Sequence, residues 1–136
     1  MTLTDTGPLV ALINTADQHH AWCAAALAAL PAEPLLTTWP CFTEAMHLLW
    51  RDGGYRHQAA LWDIYRDGRL LLYELTAAEI LRMTQLMEQY RDTPMALADA
   101  SLVAAAERLG LRRVFTVDGQ FYVYRLGDGS ALAVVP

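Results

Sequence analysis

The sequence predicts an α/β fold built on a mainly parallel sheet of four to five strands. Short apolar runs alternate with segments of helical periodicity along the chain, which is typical of βαβ units. Proline, glycine and capping residues mark most of the boundaries between them. With 136 residues, of which 54% are hydrophobic and 18% charged, the chain has the size and balance of one globular domain. We therefore expect a single domain over residues 1–136.

The first part of the chain predicts a weak strand followed by two helices. Residues 1–4 form the strand, and Gly7-Pro8 opens a helix with proline at its first position, where the missing N–H costs nothing; this helix runs to about Asn14. The second helix begins near Asp17 and continues through an alanine-rich stretch to Leu30, because alanine is the best helix former.

The remaining elements follow the same alternation. Thr76 and Glu79 form a capping box, and Gly110 closes the last long helix. The predicted elements are, in order, a strand over 34–38, a helix from Pro40 to Gly53-Gly54, a helix over 55–67, a buried strand over 69–75, a helix from the capping box to about Arg91, a helix over 95–109, and strands over 113–117 and 131–135, with a hairpin turn at 127–130.

Two aspartates follow predicted strands, where open α/β sheets place their ligands. Asp5 comes after the first apolar run and just before a helix, and Asp118 comes after the strand that ends at Val117. Either residue could instead cap the turn that follows it, as aspartate commonly does.

Asp99 is predicted to face the core. Its helical neighbours at −4, +3, +4 and +7 are all apolar, namely Met95, Leu102, Val103 and Ala106. A buried charge must be matched by a cation, a metal or several hydrogen-bond donors. The alternatives to a metal are an ion pair with an arginine and a position at the helix N-terminus.

Glu44 lies early in the helix after the second strand and alone could simply favour the positive helix end. Together, however, Asp5, Glu44, Asp99 and Asp118 are placed so that they can converge at one edge of the sheet. Such a group of like charges is best explained by a hard divalent cation, because Mg²⁺ and Mn²⁺ prefer oxygen ligands.

An ordered set of short motifs resembles the PIN-domain family over nearly the whole chain. The motifs are Asp5-Thr6-Gly7-Pro8, Asp17-x-x-His20, Thr43-Glu44, Leu97-Ala98-Asp99-Ala100 and Thr116-x-Asp118-x-x-Phe121. Each is weak alone, but their order and spacing are specific. The length is similar to that of the VapC toxin branch of this family.

The resemblance implies a three-layer α/β/α fold and a metal-dependent endoribonuclease. By this likeness Asp5, Glu44, Asp99 and Asp118 are the catalytic and Mg²⁺- or Mn²⁺-binding residues. Thr116 would hydrogen-bond a metal ligand or a water, unless it is only a strand residue with its hydroxyl tied to the backbone; Thr6 is a weaker supporting candidate. The resemblance further implies a homodimer and a small antitoxin that inhibits the enzyme.

Other readings remain open at this stage. A stand-alone PIN ribonuclease and a PIN-like module that binds but does not cut have the same motifs, whereas a receiver-type domain would need a lysine near its last strand, and the chain has no lysine. The histidines, with Cys23, lack the paired spacing of a zinc site, and His20 is expected to pack or hydrogen-bond near Asp17. Four tryptophans could stack bases, although Trp22, Trp50 and Trp62 fall on predicted helices, where core or subunit contacts are expected.

Charge and cysteine content limit the function classes. The net charge of −5 would repel a polyanion, so any RNA contact must be local; Arg51 and Arg56 are candidates for contacting phosphate, or else mark a solvated helix end. We expect a cytoplasmic protein, because Cys23 and Cys41 lie in apolar helical surroundings and no secretory signal or membrane-spanning segment is apparent. The RNA target is not encoded in a recognisable motif.

Overall fold

The computed structural model describes all 136 residues and contains five strands and six α-helices. In chain order they are β1 (Thr2–Thr4), α1 (Thr6–Ile13), α2 (His20–Ala29), β2 (Leu35–Thr38), α3 (Trp39–Gly53), α4 (Tyr55–Arg66), β3 (Leu70–Tyr73), α5 (Ala77–Gln89), α6 (Leu97–Leu109), β4 (Arg113–Phe115) and β5 (Ala133–Val135). A short 3₁₀ helix over Gly119–Tyr122 follows β4.

The strands form one sheet in the order β3-β2-β1-β4-β5, and every pairing is parallel. Leu3 of β1 pairs with Leu36 of β2 on one side and with Val114 of β4 on the other. All five strands therefore end at the same edge, and β1 lies at the centre of that edge between the ends of β2 and β4. This is the edge where open parallel sheets bind ligands.

Helices cover both faces of the sheet, so the molecule has the predicted three layers. Neighbouring strand residues point to opposite faces: Leu36 packs into a core with α5 and α6, whereas Leu35 packs into a second core with α1 to α4. The first core contains the fully buried Phe121 and Tyr124, and the second contains Phe42. Strands β1 and β2 are buried on both faces, as expected for central strands of a parallel sheet covered by helices.

Several local predictions are confirmed. Glu79 accepts a hydrogen bond from the Thr76 N–H at 2.6 Å at the start of α5, and Gly110 ends α6 in the left-handed conformation with φ 68°. The 127–130 segment is a turn, closed by a hydrogen bond from the Leu126 N–H to the Ser130 carbonyl and followed by an antiparallel bridge between Arg125 and Ala131.

Other boundaries were predicted wrongly. Helix α1 begins at Thr6, not at Gly7-Pro8, because Asp5 caps it by accepting from the Thr6 N–H; Pro8 is therefore the third helical residue. Helix α2 begins at His20, because Asp17 forms a local turn in which its side chain accepts from the His19 N–H. Helix α6 likewise begins at Leu97, two residues after the predicted start.

The strands are shorter than predicted, and β3 is not a buried strand. It lies at the edge of the sheet, and Leu71 is 39% exposed. An apolar run alone does not distinguish an edge strand from a central one. None of the helices combines the length and the apolar character needed to cross a membrane.

Candidate metal centre

Three aspartates from distant parts of the sequence meet at the carboxyl edge of the sheet. Asp5 follows β1, Asp118 follows the adjacent β4, and Asp99 lies in the first turn of α6. One carboxylate oxygen from each of the three lies within 4.8 Å of the others. Asp5 and Asp99 are buried, and Asp118 is half-buried. The topology, with β1 beside β4 and α6 leading into β4, creates this cluster.

Asp5 is held through both carboxylate oxygens. Its Oδ1 accepts from the Thr6 N–H at 2.8 Å, and its Oδ2 accepts from the Thr116 hydroxyl at 2.9 Å. Burial raises its pKa from 3.8 to about 6; the two hydrogen bonds oppose this rise, whereas the charges of Asp99 and Asp118 add to it. The charged form of Asp5 is therefore disfavoured at this position unless a cation binds beside it.

Asp99 is held by one oxygen only. Its Oδ2 accepts from the Tyr124 hydroxyl at 2.8 Å and from the Ala96 N–H at 3.2 Å, and the structure gives its Oδ1 no hydrogen bond. Burial raises its pKa, the two hydrogen bonds lower it, and the charges of Asp118 and Glu44 raise it further. The position in the first turn of α6 is the one offered above as an alternative to a metal, and it accounts for the Ala96 contact.

Thr116 links two of the aspartates. Besides donating to Asp5, its Oγ1 accepts from the Asp118 N–H at 3.0 Å. Asp118 in turn caps the 3₁₀ helix, because its Oδ1 accepts from the Gln120 N–H at 2.9 Å. Asp5 and Asp118 therefore both have the capping role considered from the sequence, and the same geometry brings their carboxylates together.

No basic side chain neutralises this cluster. All nine ion pairs of the chain involve other acids, so the alternative of an arginine partner for Asp99 is wrong. Three carboxylates with free lone pairs and no internal cation fit a hard divalent cation such as Mg²⁺ or Mn²⁺. Asp99 Oδ1 and Asp118 Oδ2, which accept no hydrogen bond within the chain, are the oxygens best placed to serve as ligands.

Glu44 lies outside the group of three. It is exposed on the first part of α3, and its charge reaches Asp99, since it contributes to the raised pKa of that residue. It also lines a surface cleft with residues 96–98 at the start of α6. Glu44 therefore flanks the aspartates at the rim of the site.

The other predicted residues lie further out. The Thr6 hydroxyl donates to the Cys41 carbonyl at 3.2 Å, so Thr6 contacts Asp5 only through its backbone N–H. Arg51 and Arg56 are exposed on either side of the α3–α4 turn, and Arg51 pairs with Asp52. At about 1.5 Å per helical residue, Arg51 is about 18 Å along α3 from the sheet edge where the helix begins.

Two contacts to the aspartates were missed from the sequence. Tyr124 is fully buried and donates to Asp99, and it lies three residues after Phe121, the end of the last motif. Cys41 is also fully buried, with its thiol 3.8 Å from Asp5 Oδ1; burial and the Asp5 charge raise its pKa to about 12, so it is a neutral donor. A tyrosine in an apolar run and a cysteine after proline carry no pattern that marks them as partners of an acid.

The histidines and tryptophans behave differently from the aspartates. The ring of His20 contacts the Ala11 carbonyl at 2.7 Å, and Asp17 contacts the His19 N–H. Trp22 and Trp50 are 48% and 58% exposed, so they are not core residues, and a subunit contact stays a prediction for them. Trp62 packs on Phe42, as predicted for a helical tryptophan, with ring centroids 5.0 Å apart.

Comparison with known proteins agrees with this fold. Residues 2–126 match the family model described as PIN domain. No curated protein matches the chain significantly.

Solved structures share the fold at low sequence identity. VapC20 of Mycobacterium tuberculosis, a toxin that cleaves the sarcin-ricin loop, superimposes with a TM-score of 0.85 at 20% identity, with both chains fully covered. VapBC2 of Rickettsia felis, bound to a fragment of promoter DNA, gives a TM-score of 0.65 at 13% identity, covering 98% of this chain and 96% of that one. A toxin-antitoxin complex of Klebsiella pneumoniae gives 0.61 at 18% identity, covering 87% of each chain.

Proposed function

The chain belongs to the PIN-domain family, and on this premise we propose that it is a metal-dependent endoribonuclease of the VapC toxin type. The observation that carries the proposal is the meeting of Asp5, Asp99 and Asp118 within 4.8 Å at the carboxyl edge of the sheet, with no basic side chain to pair with them. The similarity in fold to VapC20, a toxin that cleaves the sarcin-ricin loop, supports the choice of substrate class. We further propose that residues 1–136 form one PIN domain.

The proposed ligands of Mg²⁺ or Mn²⁺ are Asp5, Asp99, Asp118 and Glu44, which also form the catalytic set. A bound divalent cation lowers the pKa of water and offsets the negative charge that develops on the phosphate. Thr116 holds Asp5 and the Asp118 backbone in one arrangement, so two ligands keep a fixed distance. Tyr124 and the Ala96 N–H occupy one oxygen of Asp99, which leaves the other without a hydrogen bond in the chain and free to bind a metal.

The proposal also covers the substrate, the protein partners and the cellular location. The substrate is RNA, and Arg51 and Arg56, at the far end of α3, would contact phosphate groups distant from the bond that is cut. A small antitoxin is proposed because the neighbours in fold include toxin-antitoxin complexes, and a homodimer is proposed on the family resemblance. Two free cysteines are consistent with a cytoplasmic location.

The deciding experiment is cleavage of a structured RNA pool by protein freed of any partner, with EDTA, Mg²⁺ or Mn²⁺. The wild type is compared with Asp5→Asn and Asp99→Asn, and with Asp63→Asn, an exposed acid of α4, as the matched control. We expect metal-dependent cutting by the wild type and the control. Activity should fall by at least about 100-fold in both site variants, because even loss of a ligand's hydrogen-bond partner typically lowers metal affinity or activity by about 10- to 100-fold. Absence of cutting by the folded wild type with every metal would favour a PIN-like module that binds without cutting.

A further inference from the structure

A surface cleft begins at Glu44, on the rim of the proposed metal site, and extends away from the three aspartates. It has a volume of about 510 Å³, within the range of about 300–1,000 Å³ typical of small-molecule sites. It lies between the first two turns of α3 and the first turn of α6, and its lining consists of Trp39, Pro40, Thr43, Glu44, His47 and residues 96–98. We call it the Trp39 cleft.

The topology places the Trp39 cleft beside the aspartates at which the proposed nuclease would cut RNA. Trp39 is the first residue after β2, and β2 is the neighbour of β1, which ends in Asp5. On the other side of the cleft, Ala98 directly precedes Asp99. An RNA whose phosphate is held at the aspartates would therefore place a neighbouring nucleotide in the cleft.

The chemistry of the lining favours a flat, uncharged ring. Trp39 is 43% exposed and offers an aromatic surface to the cleft, and Pro40 and Leu97 add apolar surface. No arginine or lysine lines the cleft, and Glu44 adds a carboxylate to it, so the charge of the lining disfavours a phosphate. Thr43 and His47 supply hydrogen-bonding groups at its edge.

Trp39 is also held in a defined position. Its ring packs edge-to-face on the buried Phe42, with centroids 5.6 Å apart and planes at 79°. Just before it, the Thr38 hydroxyl is hydrogen-bonded to the Ser101 hydroxyl at 2.6 Å, which ties the start of α3 to α6, the other side of the cleft. A fixed aromatic surface loses little conformational freedom on binding a ring.

We propose that the Trp39 cleft binds an unpaired nucleobase next to the bond that is cut, with Trp39 stacking on that base. The inference rests on the proposed ribonuclease function and adds to it a base-binding subsite. It accounts for an acidic protein acting on RNA, because stacking does not depend on charge. It also implies a single-stranded or looped target, since a paired base is not free to enter the cleft.

The test combines a change in the protein with a change in the RNA. The cut bond is first mapped on a fluorescein-labelled single-stranded RNA, and versions lacking the base on either side of that bond are then synthesised. Trp39→Leu keeps apolar bulk without the aromatic ring, and Trp39→Phe keeps a ring. Trp22→Leu, at a tryptophan of similar exposure on α2, is the matched control.

For the wild type, we expect removal of one flanking base to lower kcat/KM by about 10- to 100-fold, the size expected for a lost base–aromatic stack. Trp39→Leu should lower kcat/KM on intact RNA by a similar factor. Removal of the base should then lower the kcat/KM of this variant little further. Trp39→Phe and Trp22→Leu should respond as the wild type does. An equal penalty for base removal in the wild type and in Trp39→Leu would overturn the proposal, even if the enzyme cuts RNA as proposed.

A second readout separates the subsite from the nuclease. Fluorescence anisotropy of the same RNA in EDTA measures binding without cutting, and thermal unfolding checks that each variant is folded. A 10-fold or larger rise in Kd for Trp39→Leu, and not for Trp39→Phe or Trp22→Leu, would support the subsite. This holds even if no metal produces cleavage. Unchanged binding by folded Trp39→Leu would contradict it, as would a failure of the wild type to bind RNA at all.

Discussion

At the residue scale, the three aspartates differ in how firmly they are held. Asp5 has a donor on each carboxylate oxygen, whereas Asp99 and Asp118 each have one oxygen without a hydrogen bond in the chain. Metal sites depend on such partners, because a ligand that is oriented in advance loses less freedom when the ion binds. The hydrogen-bond donors around the aspartates are therefore expected to affect metal binding, as the aspartates themselves do.

Tyr124→Phe is predicted to weaken metal binding. The change removes the hydroxyl that donates to Asp99 at 2.8 Å and leaves the ring packing on Tyr90 and Phe121 in place. Loss of a ligand's hydrogen-bond partner typically lowers metal affinity by about 10- to 100-fold. Calorimetric titration with Mn²⁺ at constant pH would measure this. Tyr122→Phe, at a residue 63% exposed, is the control, and equal affinity of the two variants would refute the role given to Tyr124.

Asp5 should make the metal-free protein less stable as pH rises. Its folded pKa of about 6 lies above the ordinary value of 3.8, so the folded state holds the proton more tightly than the unfolded state. Its stabilising contribution is complete below about pH 4 and is lost as pH rises through about 6, a change of about 3 kcal/mol. Asp99 acts in the same direction.

The measurement is urea unfolding in EDTA from pH 4 to 7.5, for the wild type and Asp5→Asn. The difference in the free energy of unfolding between the two proteins isolates Asp5 from the other titrating groups. We expect the variant to gain stability relative to the wild type as pH rises through this range. A difference that stays constant with pH would show that Asp5 ionises freely in the folded state.

At the element scale, the first turn of α1 packs closely against the segment that follows β4 and leads to Asp118. Gly7 of the Asp5-Thr6-Gly7 motif faces Val117, the residue before Asp118; a Cβ at Gly7 would lie 2.5 Å from Val117 Cγ2. Contacts this short do not occur between real atoms, so a side chain at Gly7 must displace the Val117 side chain or the segment that joins it to Asp118. The glycine is thus needed for close packing and not for a special backbone angle.

Gly7→Ala is accordingly predicted to destabilise the protein and weaken Mn²⁺ binding, even though alanine is the better helix former by about 1 kcal/mol. We expect a net loss of about 1–3 kcal/mol, the range for overpacking. Val117→Ala in the same chain removes the clashing methyl group and should restore both properties. Chemical unfolding and Mn²⁺ titration of the two single variants and the double variant form a double-mutant cycle; additive effects would contradict a direct contact.

At the scale of the whole molecule, the cluster should link folding to metal binding. Three carboxylates without an internal cation repel one another in the folded state and are dispersed in the unfolded chain. A cation that binds only the folded state stabilises it according to concentration, by about 2.7 kcal/mol at 100 times the Kd.

We therefore expect Mn²⁺ to raise the Tm of the wild type in a concentration-dependent manner, and to raise that of Asp99→Asn much less. In EDTA, Asp99→Asn should be at least as stable as the wild type, because one repelling charge is removed. Differential scanning calorimetry with and without Mn²⁺ measures both effects, with Asp63→Asn as the control. An equal Tm increase in all three proteins would point to non-specific binding at the acidic surface.

The sequence determined the fold class and the identity of the acids. Alternating apolar runs and helical segments predict a parallel sheet with helices, because each element must bury its apolar face; the three layers were implied by the family resemblance. Asp99 could be identified as unusual because a charge on an apolar stripe needs a partner wherever the helix lies. The capping box and Gly110 were also predictable, since caps depend on residues within one turn of each other.

Only the tertiary structure decided which acids meet and what surrounds them. The approach of Asp5, Asp99 and Asp118, the exposed position of Glu44 and the open face of Trp39 depend on strand order and on contacts between elements that are not adjacent in the chain. The edge position of β3 and the buried hydrogen bond from Tyr124 to Asp99 are of the same kind. Local periodicity records which face of an element is buried, but not against which partner, and the chemistry of this site depends on those partners.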